Sequence, residues 1–154
     1  MAATVYVNFD GVAEQAITFY AEALSASEVK QVRFGDIPQD PNYPLPDNER
    51  NMIMESSVTF DGGTIMMSDV LPSMKGMMGE VVPGNNMLIT LVMDDKQKLQ
   101  QYFERLSVGG RVIMPIGEVP WSSCFGMLVD PFGVSWKFNS DAELFLDRVL
   151  AGKN

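Results

Sequence analysis

The sequence contains no histidine. That absence removes His-bearing catalytic triads, histidine general bases, HExxH zinc sites and the two-histidine facial iron site together. Any metal would have to rest on carboxylates alone, and any acid–base step on Asp, Glu, Lys, Tyr or Cys. Cysteine is nearly absent too. The one thiol, Cys124, excludes an intrachain disulfide and a multi-cysteine zinc site. Basic residues are few, 11 against 20 acidic ones, for a formal net charge of -9. Nucleic acid and anionic membrane both require basic surface, so neither is an expected partner. There is no uninterrupted apolar run of membrane-spanning length and no charged-then-apolar leader, and the expected location is the cytoplasm.

What is present is an ordinary globular mixture. The 154 residues are 46% hydrophobic and 20% charged, enough for one domain or two small halves sharing a core. "TVYVNFD" (4–10) reads as a strand. "GVAEQAITFYAEALSA" (11–26) then places Val12, Ala16, Ile17, Tyr20, Ala23 and Leu24 on one helical face. "EVKQVRFGDI" (28–37) is extended, and the proline-rich "QDPNYPLPDNERN" (39–51) reads as a loop. "IMESSVTF" and "GTIMMSD" flank Asp61-Gly62-Gly63, a hairpin signal.

The second half repeats the order. "MLITLVMDD" (87–95) is a strand ending in a candidate N-cap, Asp95. "KQKLQQYFERLS" (96–107) sets Leu99, Tyr102, Phe103 and Leu106 at helical spacing and stops before Gly109-Gly110. "RVIMPIGEVP" is extended. "CFGMLVD" and "VSWKFN" flank Asp130-Pro131-Phe132-Gly133, a type I turn signature. The aromatic pairs Phe19-Tyr20 and Tyr102-Phe103 stand at equivalent places, which points to internal duplication. A last helix is signalled by Ser140 and Glu143 as a capping box, by the stripe Phe145, Leu146, Val149, Leu150, and by Gly152 as its stop.

Three stretches, "AITFYAEAL", "GGTIMMSDVLPS" and "FGMLVDPFGVSWKFN", resemble the PhnB-like branch of the vicinal oxygen chelate superfamily. This is the group of glyoxalase I, bleomycin-resistance proteins and extradiol dioxygenases, and its PhnB-like branch is often labelled 3-demethylubiquinone-9 3-methyltransferase-like. The resemblance runs from about residue 4 to 140. It implies an α+β fold of two tandem βαβββ units (1–72 and 85–140) forming one curved eight-stranded cup, followed by a C-terminal helix (141–154). It also implies a homodimer.

In the metal enzymes of that superfamily, four side chains point into the cup, normally His, Gln or Glu. Carried over residue by residue, they fall on Val5, Met66 (Met67 if the count shifts by one), Leu88 and Lys137. Two aliphatics, a thioether and a cation do not chelate an oxygen-ligated metal. No GxGxxG turn near the N-terminus supports the methyltransferase label. No cofactor and no metal are therefore expected.

Among residues with chemistry, Lys137 is read as an anchor for an anionic ligand group, as a Schiff-base nucleophile, or as a rim lysine with its ammonium in water. Cys124 is read as a nucleophilic thiolate or, because its neighbourhood is neutral and lacks anything to lower its pKa, as a buried and inert core thiol. Trp121 is a stacking platform or a core aromatic. The methionine-rich "SMKGMMGEVVPG" (73–84) is an apolar lid, a dimer contact or a linker. The acidic loop 39–51 is a solvated surface loop. The expectation is a metal-free protein that binds a small organic molecule through Lys137, Val5, Met66, Leu88, Trp121 and Cys124. The alternative is an enzyme of the superfamily: a metal-dependent lyase or dioxygenase, or a methyltransferase.

Overall fold

Alternation in "VYVNF" sorts Val5, Val7 and Phe9 to one face and Tyr6 and Asn8 to the other, and these residues form the first strand, β1 (Val5–Phe9). The computed structural model of the protein describes Met1 and residues 3–153, with backbone only for Ala142 and Glu143. It divides into two compact units, Met1–Val82 and Pro83–Asn154.

In the first unit, helix α1 (Ala13–Ala23) follows β1, and then come β2 (Glu28–Arg33), β3 (Ile53–Phe60) and β4 (Gly63–Asp69). The sheet order is β1-β4-β3-β2, with β1 parallel to β4 and the other pairs antiparallel. Asp61 (φ 41) and Gly62 (φ 80) are both left-handed, the geometry of a two-residue hairpin turn. Helix α1 packs on β3 and β4. Its Ala16, Ile17 and Tyr20 are buried with Val58, Phe60, Ile65 and Met67.

The second unit repeats the design. β5 (Ile89–Val92), α3 (Lys96–Ser107), β6 (Arg111–Val119), β7 (Ser122–Val129) and β8 (Ser135–Asn139) form a sheet in the order β5-β8-β7-β6. Phe138 meets Phe103 of α3 edge-to-face at 5.1 Å, so Trp136 and Phe138 look toward the helix. Gly126 makes that packing possible: a Cβ there would sit 2.9 Å from Phe103 Cε2 and 3.0 Å from the Ile116 backbone. Pro115 lies in β6, an edge strand with repeated register shifts, where a missing N–H costs no ladder bond. Asp130 turns the last hairpin. Its Oδ1 accepts from the Phe132 and Val134 amides, and its Oδ2 accepts from Trp136 Nε1 at 2.9 Å.

Several expectations need correction. The extended stretch 28–37 ends at Arg33, because a 3-10 turn occupies Phe34–Asp36. The loop 39–51 is not wholly solvated: a 3-10 turn at Asp47–Glu49 carries Glu49 inward to 1% exposure. Its Oε1 accepts from the Ser73 amide and its Oε2 from the Ser73 hydroxyl, both at 2.8 Å. The methionine-rich stretch is partly regular, with a 3-10 turn at Pro72–Met74 running into the short helix α2 (Lys75–Met78). The final helix α4 spans Ala142–Ala151 and leaves Phe145, Leu146, Val149 and Leu150 exposed. Of its expected capping box, the Glu143 side chain lies outside the described residues. Asp141 instead accepts from the Ser123 amide at 2.9 Å, and with hydroxyl bonds from Ser123 and Ser140 its carboxyl is held down at about 2.

Candidate functional site

The face of the first unit's sheet away from α1 is built from the polar parity of its strands. Tyr6 pairs with Met66 and Asn8 with Ser68, so these four side chains share that face. The Ser68 hydroxyl donates to Asn8 Oδ1 at 3.3 Å. The Tyr6 hydroxyl is hydrogen-bonded to Ser68 and Glu55, and its pKa is raised, chiefly by burial of the phenol. Tyr6, Asn8 and Ser68 form the floor of a cleft of about 380 Å³. Its walls are apolar: Phe34 from the turn after β2, Met54 from β3, Val70 beyond β4, and Met74 and Met78 from the methionine-rich segment. A polar floor under apolar walls is the usual form of a small-molecule site.

The walls are held by groups far away in sequence. Glu49 clamps Ser73, immediately before Met74. Lys75 Nζ reaches both Asp10 and Glu80 at 2.9 Å, tying α2 to the end of β1. Phe34 is fixed by its amide on the Met52 carbonyl at 3.0 Å. Asp69 also borders the cleft, but its carboxylate is engaged: Oδ1 accepts from the Ala13 amide and Oδ2 from the Ile53 amide. It therefore caps α1 and starts β3 rather than offering a free oxygen.

The structure places the expected site residues unevenly. Val5 pairs with Ile65 and shares the parity of buried Phe9, so it belongs to the α1 face; at that level the opposite face carries Tyr6. Met66 is on the face away from α1, and Met67, the other choice, is fully buried on the α1 face. In the second unit Lys137 pairs with Thr90 and Met127, on the face away from α3. Within that unit, and among the described residues, no carboxylate is paired with it. Leu88 lies just before β5, and Trp121 is half-buried, edge-on to Phe125 at 5.4 Å. Cys124 is 1% exposed, and burial raises its thiol pKa. That thiol is poorly suited to contact a ligand or attack one.

The four positions that would hold the superfamily's metal do not fit one. In the first unit neither Val5 and Met66 nor the paired Tyr6 and Met66, and in the second neither Leu88 and Lys137 nor the paired Thr90 and Lys137, supply a carboxylate or imidazole. Among the described residues no group of three His, Cys, Asp or Glu side chains could hold a metal ion. The cleft residues Tyr6, Asn8 and Ser68 were missed in the sequence, although the alternation of "VYVNF" carries the signal. Its apolar parity belongs to the core, which leaves Tyr6 and Asn8 for the other face.

Comparison with known proteins places this arrangement. A profile described as 3-demethylubiquinone-9 3-methyltransferase matches residues 2–139. Protein YjdN of Escherichia coli is 31% identical over 147 residues, covering 90% of this chain and 95% of its own. The crystal structure of protein PA1353 from Pseudomonas aeruginosa superposes with a TM-score of 0.76 at 28% identity, over 91% of this chain and 97% of that one. A protein from Bacillus cereus described as a putative 3-demethylubiquinone-9 3-methyltransferase, PhnB, superposes at 0.61 with 23% identity, over 91% of this chain and 99% of its own. A structure from Sphaerobacter thermophilus described as a member of the glyoxalase/bleomycin resistance protein/dioxygenase superfamily shares the α+β fold, at a TM-score of 0.51 and 20% identity over 91% of this chain and 98% of its own. By profile and sequence together, the chain belongs to the family described as 3-demethylubiquinone-9 3-methyltransferase, and its fold is shared with a structure described as PhnB and with one from the glyoxalase/bleomycin resistance/dioxygenase superfamily.

Proposed function

We propose that this protein binds a small organic molecule without the chelated divalent ion of its metal-dependent relatives. The observation that carries the reading is the first unit's cleft, about 380 Å³ in volume, with a neutral hydrogen-bonding floor and methionine and phenylalanine walls. Methionine thioethers adapt to varied apolar shapes and favour aromatic rings, so an aromatic or mixed aromatic–aliphatic ligand suits the walls. Tyr6, Asn8 and Ser68 orient it through hydrogen bonds. Met66 is a further contact in the first unit; in the second unit, taken by itself, Lys137, flanked by Thr90 and Met127, serves as an anchor for an anionic group, with Leu88 and Trp121 as that unit's further contacts. The working form is a cytoplasmic homodimer.

Methyl transfer, which the family description names, gains no support from the donor set of this cleft, and fold alone does not assign a reaction.

Elemental analysis of the purified protein, followed by a thermal-shift screen of aromatic and phosphonate-like compounds, tests the reading. A binding compound raises Tm by mass action. The expected result is no stoichiometric divalent metal, and a Tm rise for at least one aromatic compound that Ser68→Val diminishes. For anionic compounds, Lys137→Met should remove the rise. A stoichiometric divalent metal would overturn the proposal in favour of a metal-dependent enzyme.

A further inference from the structure

The cleft walls hold three thioethers. Met54 comes from β3, while Met74 and Met78 come from the 3-10 turn and helix α2, and all three border the same space. Met74 has helical backbone angles (φ -97, ψ -7), so Met74 and Met78 stand at i and i+4 on one continuous helical run. Side chains so spaced are neighbours, with Cβ atoms about 5–6 Å apart. Each Sδ lies two bonds beyond its Cβ on an unbranched chain, so two sulfurs at this spacing can turn toward a shared point. Met54 closes the set from the strand.

The backbone under the pair is fixed. Glu49 holds Ser73 directly before Met74, and Lys75 is held by Asp10 and Glu80. The one carboxylate that borders this space is already engaged. Asp69 spends both oxygens on backbone amides, and the remaining polar groups, Tyr6, Asn8 and Ser68, are neutral.

A donor set of thioethers without carboxylate or imidazole selects soft cations over Zn²⁺, Mg²⁺ or Ca²⁺. The formal charge of -9 favours a cation over an anion as the arriving ion. We propose that Met54, Met74 and Met78 form a coordination site for a soft monovalent d¹⁰ cation, Cu(I) or Ag(I), with the three sulfurs as its ligands. Binding is coordination only, with no change of oxidation state and no proton released. Met77, which does not line the cleft and is 77% exposed, and Met87, 82% exposed in the other unit, lie outside the site. The site does not depend on an organic ligand occupying the cleft.

Anaerobic competition against the coloured Cu(I) chelator bicinchoninate, with ascorbate present, tests the proposal on the full chain. A parallel titration uses Ag(I). The background is Cys124→Ser, so that the single thiol contributes nothing. The protein should withdraw one equivalent of Cu(I), and X-ray absorption should show a sulfur-only shell. Met54→Leu, Met74→Leu and Met78→Leu keep most of the side-chain volume while deleting the sulfur. Each should weaken capture at least about tenfold, the scale already seen when mere supporting groups of metal sites are lost. The triple variant should lose capture while keeping the parent's circular dichroism spectrum and a cooperative thermal melt, which show that it is folded. Met77→Leu and Met87→Leu should bind as the parent does. No capture by the parent, capture retained by a folded triple Leu variant, or an equal response to Zn²⁺ would overturn the proposal. A failed organic screen, by contrast, would leave the metal titration intact.

Discussion

In the first unit, the amides that open α1 and β3 are both held by one carboxylate, Asp69, which lies 56 and 16 residues away in sequence. In the second, the opening of α3 is held by Asp95, which accepts from the Lys98 amide three residues on. The last turn is likewise held by Asp130 through its own neighbours. Strand order is the same in both units, yet the carboxylate that opens the first helix of each is remote in one and local in the other. The remote arrangement coincides with the cleft. Asp69 and Glu49 gather the end of β4, the start of β3, the 39–51 excursion and the methionine turn around one space. A local cap organises only its own helix. Duplication of a topology therefore does not duplicate its anchors, and in the first unit the cleft lies where the long-range carboxylates Asp69 and Glu49 converge.

Substitutions that remove each kind of anchor test that contrast. Asp69→Ala should have the largest effect, since it strands two backbone amides at once beside a carboxylate that is 6% exposed. A loss of about 3–5 kcal/mol is expected in urea unfolding, and a value near that of an ordinary surface change would refute the remote-anchor account. Glu49→Ala should follow at about 2–3 kcal/mol, from two lost charge-assisted bonds. It should also reduce thermal-shift responses to cleft ligands, whereas Glu49→Gln, which can still accept from the Ser73 amide, should recover most of both. Gly126→Ala tests the second unit's packing. Its Cβ would press on Phe103 and on the Ile116 backbone, and a cost of about 1–3 kcal/mol is expected by calorimetry. Asp95→Ala, the local cap, should cost only about 1 kcal/mol and leave cleft binding unchanged.

The smallest effect concerns pH. The Asp141 carboxyl is lowered to about 2 by the Ser123 and Ser140 hydroxyls and the Ser123 amide. A lowered pKa means that the unfolded chain takes up the proton first. The contribution of Asp141 is therefore full above the ordinary aspartate range and fades as pH falls from about 4 toward 2. Melting curves of the parent and Asp141→Asn should differ at neutral pH and converge across that window. A constant difference down to pH 2 would remove Asp141 from this role.

Much of the fold could be read in the chain because its signals are local. The α3 helix is marked by Leu99, Tyr102, Phe103 and Leu106 at helical spacing, by Asp95 before it and by Gly109 after it, and it forms over Lys96–Ser107. The hairpin turns at Asp61-Gly62 and Asp130–Gly133 are likewise written in adjacent residues. The site was less legible. Counting positions from a family pattern put Val5 in the cup, one residue away from Tyr6. In a strand, one residue is the difference between core and open face. Glu49 sat in a stretch of prolines and acids that looks solvated, and nothing near it in sequence announces that Ser73, 24 residues on, is its partner.

The sequence by itself determined the duplicated order of strands and helices, the family, the want of imidazole and thiolate ligands, and the lysine at position 137. These depend on residue type and on spacing within a few turns of chain. Tertiary structure alone decided which face Val5 and Tyr6 take, what Asp69 and Glu49 hold, and that Phe34, Met54, Met74 and Met78 meet around one cleft. Those outcomes depend on strand register and on buried carboxylates satisfying distant backbone donors. Neither has a signature in the order of neighbouring residues.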